Sequence, residues 1–554
     1  MKEKDDGSVL QLNLSDEFIL NSAESRYDNG DYLGALTMLN KRSRMYEPSA
    51  DACALYADVY EAMELYGLAA DAWFRFLDTC NEADFGEGYE GLAVAFMNMN
   101  NESQSAYYYR RSLSEEDVQA FDIEFTEPEP KKPKLRLVHS DDGTHGNPEA
   151  LREGLILLKQ GELQEARSVL SEFPEAHPDY ASAAGLSAMC TLMLGDEDGA
   201  ERECKALLEK YPDNVQALTT YCAVLGAREN REGAKEVAKR LAALEVSGTD
   251  DLYRIATALC ETGLDEEAYE KLTALKSRLP YDDNVLYFHA VSAYRTGKTA
   301  EAIESLERLT TVYPRKAVAL YYLERLRMQD GDDKANKVSM SYFYRVPEEE
   351  YETVAKFLLG ASNSPYVKEL EGLSRLDEFF GIAFDEMEGR DEKLQMLAAK
   401  VAVRTRSDSF VRKVLLDFEG DEFIKIAILH DLTMRNEDDS FGVVFCNVYK
   451  EFFTHSLEIG ERKKEEYLKA FADVYSKFAL LGEENEGKIC AAAEDLYATI
   501  EELGVWHFVE ERASLAAAIY REARLLRGER SLEEIVKMFD ANRETVEKIL
   551  SLMM

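Results

Sequence analysis

The sequence predicts an all-α chain: an α-solenoid of helix hairpins in two blocks, followed by a C-terminal helical domain. Three observations predict it. Alanine recurs at positions 166, 200, 234, 268 and 302, always 34 residues apart. A fixed period of that length marks a stack of like helix–turn–helix units. Two further ladders keep the beat: Gly154, Ala188, Cys222, Ala256 and Ala290, and Gly161, Gly195, Glu229, Gly263 and Gly297. Finally, no stretch sustains a period-2 alternation, so sheet content should be close to nil.

Each ladder has a physical reason. Ala166, Ala200, Ala234, Ala268 and Ala302 are the expected repeat-packing residues, because a methyl group lets crossing helices approach closely. The glycine of each unit supplies the left-handed turn between its two helices. Pro178, Pro212, Pro280 and Pro314 end second helices, with Val246 in the vacant slot. Proline stops a helix because it lacks an amide proton and clashes with a continuing turn. From about Pro148 to Gly331 this pattern resembles the tetratricopeptide repeat family. The resemblance implies protein binding in a groove lined by the first helix of each unit.

In chain order, residues 1–113 read as a less regular N-terminal block of about three such repeats. The first holds Ala23, Gly30, Tyr32, Ala35 and Pro48, and the second Ala57, Tyr60, Tyr66, Ala69 and Trp73. The third holds Leu92, Ala93, Phe96, Ser105 and Tyr109. Residues 114–147 begin acidic and then carry Pro128, Pro130 and Pro133, which forbid a continuous helix. They read as a linker. Its PKKPKLR segment resembles a nuclear import signal, although a solvated basic island in an acidic chain explains it better.

Residues 148–335 form the second block, with five repeats and a capping helix, RKAVALYYLERLRMQ. Residues 336–554 lose the beat yet remain helical in pattern. KVSMSYFYRVPEEEYETVAKFL opens with aromatics and a turn at Pro347. SFVRKVLLDFEGDEFIKIAILHDLT resembles a HEAT-type pair flanking Gly420, and Glu451 to Leu481 reads as two amphipathic segments.

Residues 488–554 resemble a cyclin-like repeat of the transcription factor IIB type. Leu503 and Gly504 would close one helix, and the run Ser514, Ala516, Ala517, Ala518, Ile519 and Tyr520 would form a central one. Ile535, Phe539, Thr545, Val546 and Ile549 resemble a closing helix–turn–helix pair. The resemblance implies contact with nucleic acid or transcription machinery. Nine basic against thirteen acidic residues make this a poor DNA surface.

Catalytic chemistry is not expected, nor a cofactor or a metal site. The seven histidines are dispersed without the i, i+4 spacing of a helix-borne metal site. Gly482 to Lys488 fits G-x-x-x-x-G-K, but Ile489 stands where magnesium needs Ser or Thr, and three glutamates would repel phosphate. It reads as an inter-helix loop. A net charge of −42 disfavours nucleic acid and anionic membranes, and would suit a basic partner segment. No apolar run is long enough to span a membrane, and the scattered cysteines suit a reducing cytoplasm.

The expected site is therefore the groove of the second block. Tyr253, Tyr287 and Tyr321 fall 34 apart on successive first helices, with Thr257, Val291 and Tyr294 beside them. Tyrosine combines large contact area with a hydroxyl that tolerates water. Such a wall suits a partner peptide or helix. The alternative is that these tyrosines pack against one another and the end cap. The lysine–asparagine clamp that some family members use is absent: its slots hold Gly185 with Met189, Thr219 with Ala223, and Tyr253 with Thr257. The function expected is a non-catalytic scaffold or adaptor. The alternative is a transcription-related regulator acting through residues 488–554.

Overall fold

A computed structural model describes residues 15–113, 148–159, 161–328, 338–371, 373, 375–385, 391–435, 439–445, 447–454, 465–478, 483–506, 511–525 and 530–553. The Pro-rich segment and its basic island lie outside the described residues. The described residues are all-α apart from one hairpin, and they form two compact units. One comprises 15–113, 349–384 and 391–553, the other 148–348 with Asp385.

The second unit is the regular stack. Its hairpins are Pro148–Lys159 with Leu163–Ser171, Tyr180–Met193 with Glu197–Lys210, and Val215–Ala227 with Arg231–Ala242. Thr249–Thr262 with Asp265–Arg278 and Asp283–Arg295 with Thr299–Val312 follow, and Ala317–Met328 closes the row. Ala166, Ala200, Ala268 and Ala302 are wholly buried, and Ala234 is 4% exposed. Close approach is equally visible at Gly154, where a Cβ would lie 2.6 Å from Leu170. Asp196 and Asn230 cap second helices by accepting the amides of Gly199 and Gly233 at 2.8 and 3.1 Å.

The turn ladder has one non-glycine member. Gly161, Gly195, Gly263 and Gly297 all have positive φ, and Glu229 adopts the same conformation at φ 58°. A side chain there costs about 1–2 kcal/mol from the Cβ–carbonyl clash. Glycine would relieve that but loses more entropy on folding. Glu229→Gly should therefore stabilise the unit by up to ~1 kcal/mol, and urea melts of the two proteins would measure it.

The first unit joins the N-terminal hairpins to the C-terminal region. Asp16–Asp28 pairs with Tyr32–Ser43, Ala50–Ala62 with Tyr66–Thr79, and Phe85–Asn98 with Glu102–Ser112. Their turns use Gly30, Glu64 and Asn100, all at positive φ. Later helices include Asp408–Leu415 and Glu422–Thr433, which flank Gly420.

The structure departs from the sequence reading at 440–453. Strands β1 (Ser440–Phe445) and β2 (Val448–Phe453) form an antiparallel hairpin, with Ser440 opposite Phe453 and Phe445 opposite Val448. Glu451 is thus in a strand, where an amphipathic helix was expected. The hairpin packs on the N-terminal helices. Tyr108 donates to the Asn447 carbonyl at 2.7 Å, and Tyr449 to that of Leu77 at 3.2 Å. The Asp78 carboxylate accepts the Gly442 amide at 2.8 Å and pairs with Arg412 at 3.1 Å.

At the C-terminus, Arg512–Ala523 is the central helix of a cluster. Ser514 to Tyr520 are all buried, against Glu465–Phe478, Glu483–Leu503, Leu532–Phe539 and Arg543–Leu552. The alanine run makes this possible, since a helix with methyl groups on several sides accepts neighbours all round. Residues 483–488 of the phosphate-loop lookalike form the first turns of Glu483–Leu503 and are not an inter-helix loop.

Candidate peptide-binding groove

In the second unit the first helices Tyr180–Met193, Val215–Ala227 and Thr249–Thr262 pack directly on one another, more extensively than the second helices do. That direct packing falls away between Thr249–Thr262, Asp283–Arg295 and Ala317–Met328. The cleft this leaves is where the expected tyrosines lie.

Tyr287 is 1% exposed, and Tyr294 and Tyr321 are 6% exposed. Val291 is buried, whereas Tyr253 and Thr257 are half-buried on Thr249–Thr262. Thr257 turns its hydroxyl back onto the Tyr253 carbonyl at 3.0 Å. Burial, reinforced by Asp282 and Asp283, pushes the Tyr253 phenol up to about 12. Tyr322 links the wall: its ring lies 6.4 Å from Tyr287 and 5.2 Å from Tyr321. The Arg325 guanidinium covers the Tyr321 ring at 3.2 Å.

The cleft is filled by residues 338–346 of the same unit, a non-helical strap. Met340, Tyr344 and Val346 are buried, and Tyr342 is half-buried. Tyr344 meets Tyr287 edge-on at 4.7 Å and donates its hydroxyl to Asp385 at 2.8 Å. Asp385 also accepts the Val318 amide at 2.9 Å. Burial pushes its carboxyl up to about 7, against the pull of Lys316 and these hydrogen bonds. Tyr342 donates to Asp265 at 2.9 Å, packs on Phe288 at 6.1 Å, and lies 4.7 Å below the Arg295 guanidinium.

Sequence reasoning found the tyrosine ladder but missed Phe288, Arg295, Tyr322, Asp265 and the strap. One signal for the strap existed. Its inward residues, Met340, Tyr342, Tyr344 and Val346, alternate with Ser341, Phe343 and Arg345, the period of a chain gripped from one side.

Beside the cleft lies a buried polar cluster. His289 is inaccessible, with Nδ1 2.9 Å from Ser305 and Nε2 3.3 Å from Thr273. Burial, with Lys276 nearby, lowers its pKa to about 4. A Ser–His contact sealed in this way holds two helices together and has no route to a substrate.

The family model of the tetratricopeptide repeat matches residues 151–215 and 285–315. Those two segments are tetratricopeptide repeats. Both matches lie in the second unit, and none supports the cyclin-like resemblance of residues 488–554. The TPR repeat-containing protein YvcD of Bacillus subtilis is 22% identical over 332 residues, spanning 58% of this chain and 67% of that protein. Among solved structures, the human IFIT1 dimer with PPP-AAAA matches at 12% identity and TM-score 0.26, over 75% of this chain and 92% of that one. The Cut9–Hcn1 hetero-tetramer of the APC/C matches at 15% identity and TM-score 0.22, over 92% and 84%. The C-terminal part of a TPR repeat-containing protein from Cytophaga hutchinsonii matches at 10% and 0.17, over 55% and 99%. At such scores the solved structures carry no argument about function.

Among the described residues, no helix is long and apolar enough to cross a membrane, and no group of three or more His, Cys, Asp or Glu could hold a metal ion.

Proposed function

We propose that the protein is a non-catalytic interaction scaffold, and that the cleft of its second repeat block receives a peptide segment of a partner protein. The observation that carries this reading is the row of side-chain donors in the cleft. Arg295, Tyr287 and Tyr322 each point a donor at a main-chain carbonyl of the segment lying there. Donors aimed at a peptide backbone are how a groove holds an irregular chain, while pockets beside them select side chains. Asp265 and Asp385 accept hydroxyls from the segment lying there, which supports a partner segment that brings side-chain donors to those two positions.

The test compares partners captured by the full chain and by an Arg295→Ala, Tyr253→Ala variant, after circular dichroism shows equal helicity. Loss of at least one partner from the variant is expected. Identical partner sets would overturn the reading.

We do not adopt the nucleic-acid alternative through residues 488–554. Its supply of arginine is partly spent inside the domain. Arg512 is held by Asp473, Arg543 by Glu533 and Glu547, and Arg521 donates to the Arg530 carbonyl. Arg527 lies outside the described residues.

A further inference from the structure

The segment in the cleft is held as a ligand would be held. Arg295 donates to the Met340 carbonyl through Nε at 3.2 Å and Nη2 at 3.0 Å. Tyr287 donates to the Ser341 carbonyl at 2.9 Å, and Tyr322 to that of Arg345 at 2.8 Å. Three side chains from two helices thus grip three carbonyls within the six residues Met340 to Arg345. The inward side chains add selectivity. Tyr342 and Tyr344 insert rings and deliver hydroxyls to Asp265 and Asp385, at 2.9 and 2.8 Å. Phe343 is 56% exposed, an aromatic ring turned to solvent on the outer side of the strap.

The strap also differs from what it covers. The repeats beneath it are joined by other contacts, Asp265–Arg278 on Asp283–Arg295 and Thr299–Val312 on Ala317–Met328. Residues 340–346 form no helix, and within them Arg345 N–H bonds only across a tight bend to the Phe343 carbonyl at 2.9 Å. Its attachment is made of main-chain carbonyls, two tyrosines and the buried side chains of Met340 and Val346, all of which another peptide can offer.

We infer that residues 338–346 are a built-in occupant of the groove, and that a partner binds by displacing this strap with a segment of the same chemistry. That segment is non-helical, with an aliphatic residue and two tyrosines at alternate positions and its carbonyls turned toward Arg295, Tyr287 and Tyr322. The inference deepens the scaffold reading and rests on it. Occupancy by the strap makes the groove binding-competent only in the fraction of molecules where the strap is out, so apparent affinity falls by that fraction.

The probe is a fluorescein-labelled synthetic peptide of residues 338–346, titrated against the full chain by anisotropy. A Tyr342→Ser, Tyr344→Ser strap variant should bind it about tenfold or more tightly than the unaltered chain. Adding Arg295→Ala to that variant should remove the gain, and a scrambled peptide should not bind. Equal affinity of the strap variant and the unaltered chain would overturn the inference.

Should the double variant fail to fold, hydrogen exchange on the unaltered chain decides. Excess peptide should speed exchange of the strap amides. Peptide bound with the strap still protected would overturn the inference. Loss of partners on Arg295→Ala without any competition by the peptide would sink the strap model alone. Peptide competition with unchanged partner sets would sink the scaffold reading alone.

Discussion

Replacing Ala268 with tryptophan should open the stack at its fourth repeat and take the neighbouring units with it. Ala268 lies on Asp265–Arg278 and is wholly buried, in a cluster with Leu252, Ile255, Leu259 and Leu272. An indole has no space there. Overpacking of a filled core costs about 1–3 kcal/mol, occasionally more, and tryptophan is the largest side chain that can replace the alanine. In a stack each unit is stabilised chiefly by its neighbours, so damage to an interior unit weakens two interfaces. The measurement is the urea midpoint of the full chain, with Glu270→Trp on the exposed side of the same helix as control. The control should lie within about 0.5 kcal/mol of the parent. Equal stability of Ala268→Trp and the parent would show that the alanine ladder does not mark helix crossings.

The regular stack is legible in the sequence for the same physical reason. A stacked repeat writes its contacts into the chain at fixed spacing, because every unit solves one packing problem. The small residues, the turn glycines and the closing prolines are therefore visible as ladders. Even the exception at Glu229 sits at its rung, with the backbone its neighbours require.

Contacts made once leave no such trace. The hairpin at 440–453 escaped notice because β1, SFGVVF, has four consecutive buried residues and so shows no alternation. Its anchors, Tyr108 on Asn447 and Asp78 on Gly442, join residues more than 300 positions apart. The groove fell between these cases. Its tyrosines were legible as a ladder, but the strap that covers them is a single segment with no counterpart among the other described residues.

Lowering the pH should remove the contribution that His289 makes to the stability of the second unit. The folded protein holds this imidazole neutral, with a pKa of about 4 against 6.5 for an ordinary histidine. The unfolded chain therefore binds a proton between these values that the folded chain refuses, so stability falls as pH drops. The contribution is whole above about pH 6.5 and is lost progressively toward pH 4. One pKa step corresponds to about 1.4 kcal/mol, so the loss is roughly 2 kcal/mol by pH 5 and about 3 near pH 4.

The groups facing the ring decide the rest. Lys276 and Arg308 repel a second positive charge, while Glu301 favours it too weakly to offset burial. Asp385 works in the opposite sense. Its raised pKa means the folded state keeps a proton up to about pH 7, so its own contribution grows as pH falls from 7 toward 4. The parent alone would mix both effects. The clean measurement is the difference between the parent and His289→Gln, whose amide can still meet Ser305 or Thr273 but cannot titrate. Urea melts at pH 7 and pH 5 should show the parent losing about 2 kcal/mol more than the variant. An equal loss in both would place the acid sensitivity elsewhere and leave His289 as packing alone.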